Sequence, residues 1–373
     1  MNIFLDNVNL SDTGGPNHFG QKLRTYINKE GHFCEPIANS STDVQLTFIE
    51  TLRRYFFRDG EAVPLVQRLD GIYYNLNDGP GYQERNRIIQ NTYNDADGVI
   101  FQSNFNKELT FSFFGPHDNY TVINNGADIE LINKINPSNH KIFKDHENVW
   151  CCASHWRPGK RLQENIDYFL ENSGKDDCLI VAGPGAHATI STYKSTPKDE
   201  QHIFSQMQGV ERFMGIDKGK LSLRDFRRYL IHLEKTNLPG IDPTPSGMEI
   251  LHHPRIFRAG NLDVPTLLSI FKASKYFIHL AYIDHCPNVV VDARASGCEI
   301  ICSSTGGTKE IAGTTATVIQ EEEWDLKPLD LVETPKMDLS KKVKNNIDSN
   351  LDMSYVAKNY INFLTKVTEK KNG

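Results

Sequence analysis

At 373 residues, with 39% hydrophobic and 24% charged side chains, the chain has a globular composition and the length of two domains, each able to bury a core. A formal net charge of −6 counts against a surface dominated by polyanion binding, though not against a local basic patch. No apolar run approaches the ~20 residues of a membrane span, and the opening MNIFLDNVNLSD lacks the basic n-region of a signal peptide. Seven cysteines at spacings that match no zinc or disulfide framework read as buried thiols, which points to a cytoplasmic location.

In chain order, strand-like and helix-like segments alternate, the pattern of βαβ units and parallel sheets. NIFLD is a strand, and a loop with Gly14, Gly15 and Pro16 leads into a helix over about 17–29. VQLTFI, VPLVQRL, GVIFQS and YTVIN supply further strands. The polar INKINPSNHKIFKDHEN then reads as a linker, which closes a first domain over 1–140. NVWCCAS opens a second series that continues through DCLIVAG, PRIFRAG, KYFIHL, EIICS and ATVIQ, giving a second domain over 148–335. Residues 340–373 read as a terminal helix.

About seventy residues separate LIVAGPG from PRIFRAG, more than a crossover needs, so an insertion is placed at about 187–252. Its stretch 218–228 holds five basic residues against one aspartate, yet 190–249 as a whole holds nine basic and eight acidic residues. A solvated lobe is the plainer reading, and an acceptor-recognition element the sharper one.

In open parallel sheets, ligands gather beyond the carboxyl ends of the strands. Asp284 follows KYFIHL closely, and Pro287 suits the first position of a helix. A helix from Pro287 to Ser296 would line up Asn288, Asp292 and Ser296 on one polar stripe. STGGTKEI is a Gly-rich turn into another helix, where free N–H groups attract anions. Taken singly, these features are a capping acid, a solvated helix face and a turn.

In combination, DHCPNVVVDARASG, a strand and then STGGTKE resemble the retaining nucleotide-sugar glycosyltransferases of the GT-B fold, the superfamily of glycogen and sucrose synthases. The resemblance implies an α/β protein of two tandem Rossmann-like, doubly wound domains facing across a cleft. It implies a nucleotide-sugar donor, UDP- or GDP-linked, with no metal and no other cofactor. Asp284 takes the position that contacts the donor sugar and Asp292 the one that holds the ribose; both are glutamates in the family, one methylene longer. ASHWRPGKRLQENIDYF resembles the segment whose Arg and Lys clamp the diphosphate. Lys160 matches the lysine, His155 stands at the arginine position, and Arg157 lies two residues on; either supplies the second cation. A leaving diphosphate needs such donors where charge develops.

Gly306 and Gly307 correspond to a phosphate cradle. TGGPNHFGQKL resembles the family's glycine loop, in which Gly14 and Gly15 let backbone approach the donor. INNGAD resembles an architectural Asn-Gly-x-Asp passage, and VIFQSNFNKE a strand and turn with Ser103 at the cleft edge. Where the family commonly carries a His after its equivalent of VPLVQRL, this chain has Asp70, which reads as a general base, an orienting group for the donor sugar, or a turn-forming Asp-Gly pair. The Asp95–Asp97 pair, the isolated His252–His253 pair and the absence of a Gly-x-Ser-x-Gly elbow give no support to a metal site or a hydrolase triad.

The activity implied is transfer of a sugar to a hydroxyl with retention. The acceptor stays open among glycan, lipid, protein and small molecule, as does the oligomeric state. A hydroxylated base in phage or viral DNA is a specific alternative, and it would call for phosphate contacts and an extruded base. A nucleotide-sugar epimerase and a non-catalytic nucleotide-sugar-binding protein are the other readings.

Overall fold

Near-continuous apolar runs such as those of the first series suit strands buried on both faces of a parallel sheet, and in the computed structural model they form one. The structure describes residues 1–12, 14–51, 53–55, 60–186, 249–250, 255–322, 331 and 333–372. The basic stretch 218–228, His252–His253 and nearly all of the expected insertion lie outside the described residues.

The first sheet comprises β1 (Asn2–Asp6), β2 (Phe33–Glu35), β3 (Val44–Phe48), β4 (Leu65–Leu69), β5 (Gly98–Phe101) and β6 (Tyr120–Val122). Its order is β2-β1-β3-β4-β5-β6, with every neighbouring pair parallel. The order reverses between β1 and β3, the kind of switch point at which open α/β sheets bind ligands. Helices α1 (Gly15–Lys29), α2 (Asn75–Asp78), α3 (Tyr82–Asp95), α4 (Asn104–Phe114) and α5 (Ile129–Lys134) belong to this series. Gly15 and Pro16 themselves open α1, two residues earlier than expected.

The second sheet comprises β7 (Val149–Ala153), β8 (Cys178–Ala182), β9 (Glu249–Ile250), β10 (Ile256–Gly260), β11 (Tyr276–His279), β12 (Glu299–Ser303), β13 (Thr317–Ile319) and β14 (Lys342–Lys344). Its order is β14-β13-β12-β11-β7-β8-β10-β9. The run β11-β7-β8-β10 is parallel, whereas β9 and β14 are antiparallel to their neighbours. The accompanying helices are α6 (Ile142–Asp145), α7 (Leu162–Asn172), α8 (Val264–Ala273), α9 (Asn288–Ala295) and α10 (Thr308–Ile311), followed by α11 (Met353–Asn372).

The terminal helix expected from 340 onward begins only at Met353. Before it, Lys342, Val343 and Lys344 pair with β13 as an exposed edge strand whose lysines guard it against further pairing. Asp352 then caps α11 by accepting the Ser354 N–H (2.7 Å), and the Met353 N–H donates to the Ala127 carbonyl (3.0 Å). Gly126, in the Asn-Gly-x-Asp passage, has no room for a side chain, because a Cβ there would lie 2.9 Å from Met353 Sδ. The apolar stripe of α11 (Val356, Tyr360, Leu364 and Val367) completes the core that Leu5, Phe19, Leu23 and Phe48 begin.

By packing, the chain divides into two compact units. One is Met1–Lys134 with Tyr282–Ala295 and Cys302–Gly373; the other is Ile135–Ala281 with Ser296–Ile301. The stretch carrying Asp284 and Asp292 therefore packs with the first series. No helix of the described residues is long and apolar enough to cross a membrane. All seven cysteines are buried thiols.

At the centre of the first unit sits Arg68, 1% exposed. Its guanidinium lies 4.3 Å from the Phe19 ring centroid and 4.7 Å from that of Phe48. It donates to Asn125 Oδ1 (2.8 Å) and Tyr360 Oη (3.2 Å) and pairs with Asp70. A buried charge is tolerable only when paired and hydrogen-bonded in this way. Removing one partner of such a pair costs about 3–5 kcal/mol, whereas losing one hydrogen bond to a charged group costs about 1.5–3 kcal/mol. Denaturant unfolding of Arg68→Met is thus expected to show a larger stability loss than Tyr360→Phe; an equal or smaller loss would contradict the account.

Candidate active site

Four residues other than glycine have positive φ: Asn7 (56°), Ile49 (68°), Arg161 (51°) and Ile283 (49°) among the described residues. Such conformations cost on the order of 1–3 kcal/mol each and collect at functional edges. Asn7 directly follows β1 and Ile49 directly follows β3, so both stand at carboxyl ends beside the switch point. Asn7 Nδ2 donates to the carbonyls of Phe48 (2.8 Å) and Glu50 (3.1 Å), and Gln67 Nε2 to that of Ile49 (2.6 Å).

Asp70 follows β4 at the same edge. Its carboxylate pairs with Arg68 and accepts from Gln102 Nε2 (2.5 Å). Gln102 Oε1 accepts from Asn125 Nδ2 (3.1 Å), which also donates to the Cys286 carbonyl (2.9 Å). A continuous polar chain thus joins Asp70 to the loop that contains Asp284. Both contacts are made to Oδ1, so one oxygen of Asp70 is held by Arg68 and Gln102 and the carboxylate is oriented by them.

Asp284 lies five residues beyond the end of β11. The backbone is turned there by Ile283, a β-branched residue held in the left-handed region and buried against Tyr74, Leu76 and Tyr282. Asp284 is half-buried, and its Oδ1 accepts the His285 N–H (3.1 Å). Gly306 and Gly307 pack on this loop: a Cβ on Gly306 would lie 2.5 Å from the Asp284 carbonyl oxygen, and one on Gly307 would overlap the His285 carbonyl. The Gly307 N–H donates to the Asp284 carbonyl (2.8 Å). The close approach that demands two glycines is therefore an approach to the Asp284–His285 backbone. Glu310, three residues on, accepts the N–H groups of Asn104 (2.8 Å) and Phe105 (2.9 Å) at the start of α4. Ser103, expected at a cleft edge, caps α4 by accepting the Asn106 N–H (3.1 Å).

Asp292, on α9, carries an ion pair. Lys22 Nζ of α1 lies 3.2 Å from Asp292 Oδ1 and also donates to the Gly126 carbonyl (2.8 Å), with side chains 8% and 13% exposed. One turn earlier on the same stripe, Asn288 Nδ2 donates to the Gly15 carbonyl (2.8 Å). Gly14 and Gly15 are exposed, and the Gly14 N–H donates to Asp12 Oδ1 (3.1 Å). His18, on the same helix as Lys22, has its pKa lowered, by burial first and then by Lys22, against the opposing pull of Asp292 and Asp128.

In the second unit, β7 ends at Ala153 and the chain runs through Ser154, His155 and Trp156. Trp156 is buried; its Nε1 donates to the Ala182 carbonyl and its N–H to that of Pro184, both at 2.8 Å. Gly183 and Gly185, at φ 100° and 88°, lie flat on this segment, and a Cβ on Gly185 would stand 2.5 Å from the Trp156 carbonyl oxygen. His155 and Arg157 are exposed on either side of Trp156. Lys160 ends the turn Pro158–Lys160 and is followed by left-handed Arg161. Asn165 Nδ2 donates to the carbonyls of Lys160 (3.2 Å) and Arg161 (2.5 Å), and Asn165 Oδ1 accepts the Leu280 N–H (3.2 Å).

Sequence reasoning passed over Lys22, Gln102, Asn165, Gly183, Gly185 and His285. The glycines around Pro184, directly after a strand, were the available signal. Asp97 has a structural role, since its Oδ2 accepts the Leu65 N–H (2.8 Å) and pairs with Arg54. Among the described residues no three His, Cys, Asp or Glu side chains gather into a metal-binding group.

No protein-family model matches the chain. No curated protein matches it either. Solved structures do. Sucrose-phosphate synthase from Thermosynechococcus elongatus is similar at a TM-score of 0.56 and 12% identity, over 99% of this chain and 93% of that one. Anabaena HepE, in complex with UDP and glucose, is similar at 0.55 and 14% identity, over 98% and 100%. WaaG, a glycosyltransferase involved in lipopolysaccharide biosynthesis, is similar at 0.52 and 9% identity, over 98% and 93%.

The lowered His18 pKa gives a signed expectation. Below the ordinary imidazole value of 6.5, the unfolded chain binds a proton that the folded chain resists. Stability therefore falls as pH drops from about 6.5 toward the folded value, and rises again with pH. In unfolding measured across pH 5–8, His18→Gln is expected to flatten that acid limb; an unchanged limb would refute it. With the two sheets, their strand orders and these whole-length likenesses in place, the chain has the GT-B fold.

Proposed function

We propose that the protein transfers a sugar from a nucleoside-diphosphate sugar to an acceptor hydroxyl with retention of anomeric configuration. The observation that carries the reading is the presentation of Asp284 beyond a strand end by a strained Ile283 and two tightly packed glycines. Strain of this kind persists where function needs a fixed geometry. The GT-B fold adds support, as does the UDP-glucose complex of HepE, a protein of similar structure.

In this scheme Asp284 contacts the donor sugar, and Lys160, with His155 or Arg157, meets the diphosphate. Asp292 holds the ribose together with its partner Lys22. Gly14 and Gly15 flank the donor from the start of α1, and Gly306 and Gly307 hold the Asp284 loop in place for it. Asp70 orients the sugar as a fixed negative charge. The bond from the anomeric carbon to the phosphate oxygen breaks while the acceptor oxygen bonds on the same face, and the hydroxyl proton leaves with the diphosphate. Cationic donors matter most where the leaving group gathers charge. No step in the scheme is routed through a metal, and the acceptor class is left open.

A thermal-shift panel of UDP, GDP, ADP and dTDP tests the donor site. A ligand at a hundredfold its Kd adds about 2.7 kcal/mol to the folded state. One nucleotide series is expected to shift the wild type, and Lys160→Ala to weaken that ligand about tenfold or more, as for a lost charged contact. Asp284→Asn is expected to keep nucleotide binding and lose roughly a hundredfold in turnover. Full turnover in Asp284→Asn would sink the sugar contact, and nucleotide binding without any turnover would favour a nucleotide-sugar-binding protein.

A further inference from the structure

The side chain of His285 occupies a place that two other segments have been shaped to provide. Gly71 follows Asp70 directly and has φ 125°, a region that side-chain-bearing residues avoid. A methyl group on Gly71 would overlap the His285 imidazole, with Nε2, Cδ2 and Cε1 its three nearest atoms. On another side, the Phe105 ring lies 5.6 Å from the imidazole centroid, inclined by 34°. Phe105 is itself fixed, because Glu310 accepts its N–H (2.9 Å). Backbone contacts hold His285 from behind: its carbonyl faces Gly307, and the Gly307 N–H donates to the Asp284 carbonyl (2.8 Å).

His285 is thus bonded to Asp284 and packed on the residue bonded to Asp70. It is one ring between the two segments that carry the candidate carboxylates. The polar chain from Asp70 through Gln102 and Asn125 reaches the Cys286 carbonyl, so the residue after His285 is tied to Asp70 by a second route. The geometry points to His285 as a positioning residue that sets the separation of Asp70 and Asp284 and so the placement of the donor sugar between them. This rests on the glycosyl-transfer reading for its activity readout, though not for its structural one.

Removing the ring leaves each carboxylate on its own segment but withdraws the spacer. The expected effect is on turnover, with nucleotide affinity spared. Wild type, His285→Ala and His285→Phe are to be compared with UDP-glucose for kcat and KM, by UDP release with water as acceptor, and with UDP alone for Kd. Amide hydrogen exchange of 68–71 and 282–286 is to be measured on the same proteins without ligand.

His285→Ala is expected to lose at least tenfold in kcat with the UDP Kd within twofold, and to exchange faster in both segments. His285→Phe, which keeps a ring against Gly71 and Phe105, is expected to recover kcat to within threefold. The proposal is overturned if His285→Ala keeps its kcat within threefold. It is overturned too if UDP affinity falls as far as kcat, if His285→Phe is no better than His285→Ala, or if exchange quickens in neither segment or only in 282–286. Should the wild type bind none of UDP, GDP, ADP and dTDP and release none of them from their glucose conjugates, the functional reading fails and the exchange result alone decides the spacer role.

Discussion

The buried guanidinium of Arg68 is the interaction on which the rest of the first unit depends. Lying between Phe19 and Phe48, it reaches from the centre of the sheet to Tyr360 of the last helix, to Asn125 and to Asp70. Burial presses its pKa down, with Tyr360 opposing the shift, and the charge is kept by the bonds that surround it. Through Asp70, Gln102 and Asn125 the same network extends to the carbonyl of Cys286. A core interaction and a site interaction are here one chain of hydrogen bonds. This explains how a carboxylate can stand at a strand end with a fixed orientation.

Strain is placed at the edges where ligands of such folds collect. Asn7, Ile49 and Gly71 follow three strands of the first sheet, and Ile283 precedes Asp284. In the second unit the same device recurs in other residues: Gly183 and Gly185 lie beneath the Ser154–Trp156 segment, and Arg161 turns the chain after Lys160. Asn7, Ile49 and Arg161 are held by side-chain bonds to backbone carbonyls, as Asn165 holds the carbonyl of Arg161. Flexible loops could carry the same side chains, but not at fixed spacing.

Much of this was legible in the sequence, for physical reasons that also mark its limits. Strands buried on both faces announce themselves as apolar runs, so β3, β4, β5, β7 and β8 could be placed from such runs. The short edge strands β2 and β14 bury little and leave no such run. The stripe on α11 shows that one face is buried, but not that the face closes the core of the first sheet. Asp284 and Asp292 were visible as acids in an ordered pattern. Lys22, the partner of Asp292, stands 270 residues away in the chain, a separation that no local pattern bridges. Gly306 and Gly307 read as a turn for an anion, whereas their lack of side chains serves a backbone-to-backbone approach that only coordinates reveal. His285 went unread because its significance lies in what it touches, and Gly71 gives no sign in the sequence of the ring that lies on it.

The central claim is that this GT-B chain opens a nucleotide sugar at the anomeric carbon with retention. The most direct test is proton NMR of the sugar first released from UDP-α-glucose when water serves as acceptor, read before mutarotation mixes the anomers. The account predicts α-glucose as the first product. Release of β-glucose first would contradict retention, and no release from the glucose conjugate of UDP, GDP, ADP or dTDP would contradict catalysis itself.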